Sequence, residues 1–338
     1  MSENTLRIVL LVEIGTGLVF YILLGGADFG GGIWDLLARN HTAERELIAG
    51  ALGPVWEANH VWLIFVITGL FAAFPPAFAD LSFALFVPLS IALAGIVLRG
   101  ASFAFRTHAG SPRSVFSHWL TRVFGIASLV TPFMLGACAA TIASGRIRVK
   151  AVRPTDSVVS SWISPISVFA GFLALSMCAF LAATYLTVEA QRTKKPALVG
   201  AFRTKAIASG VVSGVLALIG LVLVRSEAKV LWDGMVHKGW PLAVASAAGG
   251  AVSLVGLVRG RLNLARAGAA VAVASVVVGW GVSQWPYIIV PDVDAADAAA
   301  SAGVLRPLAI ASAVGGILLV PSLLILFRVF KLARDELP

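Results

Sequence analysis

The sequence predicts an all-α, polytopic membrane protein of about nine transmembrane helices, in a single integral membrane domain covering residues 1–338. Three observations carry that prediction. The chain is 59% hydrophobic and only 13% charged, with a mean hydropathy of +0.92, which lies far outside the range of a soluble domain. Apolar stretches of about 20 residues, long enough to cross a hydrocarbon core as helices, recur between short polar connectors. No ten-residue alternating segments recur, and lipid accepts only helices or closed barrels.

The first span, 6–28, has no basic leader and no small-residue cleavage site, so it is expected to be retained. The second, 55–74, opens inside GPVWEANHVWLIF and runs on through Ile67, Leu70 and Phe71 with no turn signal. The third covers 80–104, with Arg99 and Arg106 near its end expected to snorkel. Further spans follow at 120–142, 163–188, 205–224, 240–258, 267–286 and 305–329. No repeat of 20 to 50 residues and no low-complexity linker interrupts them. Lys and Arg are denser in the loops after spans one, three, five and seven and in the tail. This places the N-terminus outside and Lys331 and Arg334 in the cytoplasm. The loop with Arg146, Arg148, Lys150 and Arg153 runs against that rule. The loop with Asp292, Asp294 and Asp297 is expected to be a solvated outer loop.

The formal charge of +9 resides in clusters between apolar runs, a topology pattern that argues against nucleic acid as a partner. Cys138 and Cys178 lie inside apolar runs, giving neither a disulfide framework nor a thiolate metal site, and are expected to be packing residues. Of five histidines, His41, His108, His118 and His237 fall in or beside expected loops, leaving His60 inside the membrane. With Met134 and Met177 as the internal thioethers, a several-haem site within this chain is poorly supported, and no metal ligand set is assigned. YILLGGADFGGGIWD, 21–35, follows a span and lacks the Lys of a phosphate loop. Gly26 and Gly30 are expected to allow close helix packing as a small-xxx-small pair. Asp28, between them, could pair there or accept a proton.

A carboxylate inside a bilayer costs a few kcal/mol on insertion scales, so Glu57 defaults to a functional hypothesis. Glu57 and His60 are three apart and share a helix face, the arrangement of a proton relay. The competing reading is a polar pair gluing helices together, with Trp56 and Trp62 as interfacial anchors. Glu13, in the outer half of the first span, raises the same question.

GPVWEANHVWLIF, together with LLGGADFGGG at 23–32, LRGASFAFR at 98–106, YLTVEA at 185–190 and WPYIIVP at 285–291, resembles subunit II of the cytochrome bd family of quinol oxidases. The resemblance extends over most of the chain and implies a fold of two four-helix bundles plus a peripheral helix. It implies a complex that oxidises quinol, reduces dioxygen to water and builds a proton gradient. A haem-bearing subunit I would carry haem b and haem d, with no cofactor bound by this chain. In that resemblance the embedded acid falls on Glu57, the tryptophan associated with oxygen access on Trp62, and the second acid of DGFDLG on Asp28. Glu57, His60 and Asp28 are thus the expected proton path, and Trp56 and Trp62 the residues of oxygen access or packing. Three departures stand out: Gly25 replaces an acid, His60 stands where several members have Glu, and Ala104 replaces an acid. A structural quinone, a small single-helix accessory subunit and the identity of the quinol are left open. The expected location is the bacterial cytoplasmic membrane, among lipid. A proton-coupled secondary transporter and a purely structural assembly subunit are the alternatives.

Overall fold

The computed structural model describes residues 2–38, 42–52, 56–108, 115–149 and 161–335, with side chains at 52, 56–58, 107, 108, 115, 320, 323, 324 and 326–335 left outside the description. Lys150 and Arg153, and the side chains of Lys331 and Arg334, therefore fall outside it.

Among the described residues, eight helices are long and apolar enough to cross a membrane, and a shorter apolar one covers Asn59–Ala73. In chain order the first span is α1 (Glu3–Phe20), a single π-helical turn (Tyr21–Gly25) and α2 (Gly26–Leu37). Ser2 caps its start by accepting from the Thr5 amide. It runs well past the expected end at 28, because the glycines that follow Asp28 are held in the helix by packing against neighbouring helices. A short helix, α3 (Thr42–Leu52), lies where only a loop was expected, and α4 (Trp56–Ala73) returns.

The chain turns through α5 (Pro75–Ala84) into α6 (Phe86–His108), so the expected third span is two helices, the break falling at Leu85. Then come α7 (Val115–Ala143), α8 (Pro165–Arg192) and α9 (Pro196–Glu227). The next crossing is α10 (Lys229–Gly234), a second π turn (Met235–Gly239) and α11 (Trp240–Val258). After α12 (Leu262–Gln284) come β1 (Tyr287–Ile289), β2 (Val293–Asp294) and finally α13 (Ala302–Asp335).

Helix α13 begins beside the start of α1, Leu305 clustering with Leu6 and Leu10, and runs in the same sense, so it ends on the face opposite Ser2. Helix α2 packs on α7 and α8, α6 on α7, and α1 on α4; α8 packs on α9 and α12, and α11 on α12. Helix α13 lies at the periphery, against α1 and α4. There Ser312 donates to Glu13 at 2.6 Å, which gives that intramembrane acid a partner on the outermost helix.

The loop after α12 departs from the expected solvated connector. Strands β1 and β2 pair antiparallel, Tyr287 opposite Asp294. Asp294 Oδ1 accepts from the amides of Ala296 and Asp297, and the Ala300 amide donates to the Ala73 carbonyl. Ile289, Val293 and Ala298 are buried in a cluster that includes Leu6, Leu10, Phe74 and Leu85, and Val290 is buried as well. Apolar residues interleaved with the acids supply the burial that a purely acidic segment would lack. Both cysteines are buried.

Candidate functional site

Helix α2 carries Asp28 and Asp35 seven residues apart, hence two turns and about 10 Å apart on one face. Helix α6 carries Arg99 and Arg106 at the same spacing. The two helices run in the same direction, and the residues meet as two rungs. Arg99 Nη1 donates to Asp28 Oδ2 at 2.7 Å, Nη2 to the Asp28 carbonyl at 3.1 Å and Nε to Ser128 Oγ at 3.0 Å. Both side chains are 2% exposed. The Arg99 guanidinium lies 5.1 Å from the ring centre of Phe29 and 4.7 Å from that of Phe124, a cation–π enclosure that offsets part of its desolvation. Nearer the helix ends, Arg106 Nη1 donates to Asp35 Oδ2 at 2.9 Å, and Arg45 Nε of α3 approaches Asp35 Oδ1 to 3.8 Å.

Arg99 therefore does not snorkel, contrary to expectation. It sits nine residues before the end of α6, about 13 Å of rise and beyond the reach of its side chain. An arginine held at that depth needs a counter-charge, and Asp28 supplies it. Arg106 is also paired, though part of its side chain remains exposed. Asp28, whose pairing and proton-accepting roles stood level, is paired through Oδ2 and the main chain. Its Oδ1 is buried with no hydrogen-bond partner among the described residues.

The glycines around Asp28 set how near the neighbouring helices come. A Cβ at Gly30 would lie 1.9 Å from the Cys178 carbonyl oxygen of α8, and one at Gly32 would lie 2.0 Å from Ser128 Oγ of α7. At Gly26 an added Cβ would make ordinary contact with Cys178 Sγ at 3.5 Å. Gly30→Ala is accordingly expected to destabilise by about 1–3 kcal/mol by forcing α2 and α8 apart, with Gly26→Ala near neutral. Thermal unfolding of the purified assembly compares the two, and equal effects would contradict this packing.

Above the inner rung, toward the N-terminal face, lies the π turn. Asn59, 3% exposed on α4, donates through Nδ2 to the Leu24 carbonyl at 3.4 Å. One turn of π-helix in a long α-helix recurs at functional positions; here it presents Tyr21, 3% exposed, to the same interior. The His60 ring lies 6.2 Å from the ring of Tyr21 and 6.2 Å from that of Phe29, which it meets edge-on. Trp62 stacks on Phe20 of α1 at 4.6 Å. Glu57 and Trp56 occupy the first turn of α4, and their side chains lie outside the described residues. Of the expected proton-path residues, the structure thus sets His60 against the Phe29 ring, which also meets the Arg99 guanidinium that holds Asp28.

Asp35 was missed by sequence reasoning, and so was the pairing of both arginines. The signal was available: acids at 28 and 35 and arginines at 99 and 106, on neighbouring odd-numbered spans, share one interval.

His60 is hemmed in by the rings of Tyr21 and Phe29. The cavity of about 280 Å³ at the N-terminal face is lined by no histidine, methionine or cysteine, and no cluster of three metal-ligating side chains occurs among the described residues.

The family model for cytochrome bd terminal oxidase subunit II matches residues 6–330. The chain is similar to cytochrome bd ubiquinol oxidase subunit 2 of Bacillus subtilis (strain 168), 30% identical over 177 residues, 52% of this chain and 51% of that protein. It is 26% identical over 247 residues to cytochrome bd-I ubiquinol oxidase subunit 2 of Escherichia coli (strain K12), covering 70% of this chain and 61% of the relative. These matched stretches thus span about half to three fifths of the relatives' length. The bd oxidase structure from Geobacillus thermodenitrificans contains a chain of the same fold, with a TM-score of 0.76 at 24% identity, covering 96% of this chain and 98% of that one. With the match running from the start of the first span into the last helix, this chain belongs to the cytochrome bd terminal oxidase subunit II family.

Proposed function

We propose that the chain is the haem-free second subunit of a bacterial membrane oxidase that takes electrons from a quinol and reduces dioxygen to water. Its partner would be a haem-bearing subunit I holding the b- and d-type haems, and the N-terminus would face outward. Each electron delivered to dioxygen must be matched by a proton, and the proposed task of this chain is to bring that proton in while bracing the partner. The observation that carries this reading is the file of charge from Asp35 and Arg106 to Asp28 and Arg99, two turns deep, with His60 and Tyr21 beyond it.

In this reading Glu57, at the start of α4, and Asp35 collect protons at the face opposite the N-terminus. His60, which gains and loses a proton near neutral pH in its ordinary state, stands next on the α4 face. Asp28 keeps one carboxylate oxygen fixed by Arg99 and leaves Oδ1 for exchange. Arg99 holds the charge balance of the inner rung and keeps its proton. Trp62, stacked on Phe20, is proposed to border an oxygen path or to close the α1–α4 seam. A transporter and a purely structural subunit are less favoured, because the family is that of a terminal oxidase.

The test is to copurify the complex from its native membrane through this chain. Haem b and d absorption bands, with quinol-dependent oxygen consumption, are the expected result. A preparation without haem-bearing companion or oxygen uptake would overturn the reading.

A further inference from the structure

The face of the bundle that carries the N-terminus holds a cavity of about 280 Å³, remote from the Asp28–Arg99 pair. Its walls are the stretch after α7, with Ser144 and Arg148, the end of α9, with Ser226 and Glu227, and the start of α10, with Lys229 and Val230. Glu227 is engaged by Arg146 at 3.4 Å. Asp292 accepts from the Val149 amide at 3.0 Å, while Arg148 approaches it only to 3.6 Å through Nε, longer than a hydrogen bond. Lys229 makes no ion pair among the described residues. Arg148 and Lys229 thus line the cavity with exposed side chains, Arg148 beside Asp292, and with Arg146 these cations outnumber the local carboxylates Glu227 and Asp292 by one among the described residues.

From the same cavity an apolar stripe descends α9. Ser226, Val222 and Leu218 follow one another at four-residue steps on one helix face. Val222 is 69% and Leu218 67% exposed, on a helix that crosses the membrane. A polar pocket with surplus positive charge at the end of a span, continuous with an apolar track along that span, is the shape of one amphiphile.

We propose that this cavity binds the phosphate-bearing headgroup of an anionic phospholipid between Arg148 and Lys229, with an acyl chain lying along Val222 and Leu218. Phosphate is the shared chemistry of a lipid headgroup and a soluble ion; the stripe below Ser226 favours the lipid. This assignment stands apart from the proton path.

The test uses the intact complex in nanodiscs of phosphatidylcholine and phosphatidylglycerol in equal parts, followed by native mass spectrometry of the lipid retained. Phosphatidylglycerol should be retained in preference. Its retention should fall about fivefold for Lys229→Gln and further for Arg148→Gln/Lys229→Gln, each removed cation counting for roughly that factor. Haem content and oxygen turnover should not change. Ser226→Trp, which fills the cavity mouth and leaves both charges, should also lose the lipid. Equal retention of the two lipids, or undiminished retention in the double variant, would overturn the proposal, as would a segment of the partner subunit filling the cavity. Inorganic phosphate binding in discs of phosphatidylcholine alone, and displacing phosphatidylglycerol from mixed discs, would assign the site to a soluble anion instead.

Discussion

Replacing Arg99 by Met should lower the stability of the assembled protein by about 3–5 kcal/mol, because it strands the Asp28 carboxylate without its cation at 2% exposure. Ser128 Oγ would also lose the donor at 3.0 Å. Adding Asp28→Leu to Arg99→Met should regain most of that loss, since an apolar pair of similar volume avoids desolvating two charges. Thermal unfolding of the purified complex, with haem per complex as a second readout, makes the comparison. If the double variant is no more stable than the single one, the pair is not the electrostatic unit described here. The two variants also separate bracing from proton transfer: a double variant that is stable and haem-loaded yet slow in oxygen reduction would place Asp28 on the path. One that turns over at the wild-type rate would leave the inner rung purely structural.

Glu57→Gln is expected to slow oxygen reduction by about a hundredfold with haem content unchanged, the low end of what a positioned proton-transfer group contributes. Glu57→Asp, which keeps a carboxyl on the same turn of α4, should retain most of the activity. Steady-state oxygen uptake with saturating quinol, beside a haem spectrum of each variant, decides it. Wild-type turnover in Glu57→Gln would remove Glu57 from the path, and a fall in haem content would give it a bracing role.

Much of the architecture is legible in the sequence because a bilayer imposes one rule, a span of apolar residues about 20 long. The helix that follows Asp28 was harder to see, since Gly30, Gly31 and Gly32 look like a break, whereas Gly30 and Gly32 in fact allow α8 and α7 to close on α2. The hairpin after α12 escaped for the opposite reason: its acids dominate the composition, while the buried Ile289, Val290 and Ala298 decide its placement. At the site, Glu57, His60 and Asp28 stand out because polar residues are rare in such company. Arg99 was misjudged because snorkelling depends on depth, and the end of α6 lies later in the chain than hydropathy alone places it. Asp35 needed the pairing of two helices far apart in the chain, and only the matched interval of seven residues hints at it.

The π turn at Tyr21–Gly25 has a consequence for how this helix tolerates length change. A π turn accommodates one residue more than α geometry would, so removal of a single residue between 21 and 25 could be absorbed by rewinding to a regular coil. Such a shortening would keep the ends of the span in place yet give up the Leu24 carbonyl that Asn59 now holds. The first membrane crossing thus stores a spare residue, and its loss would be felt in alignment of the interior rather than in anchoring.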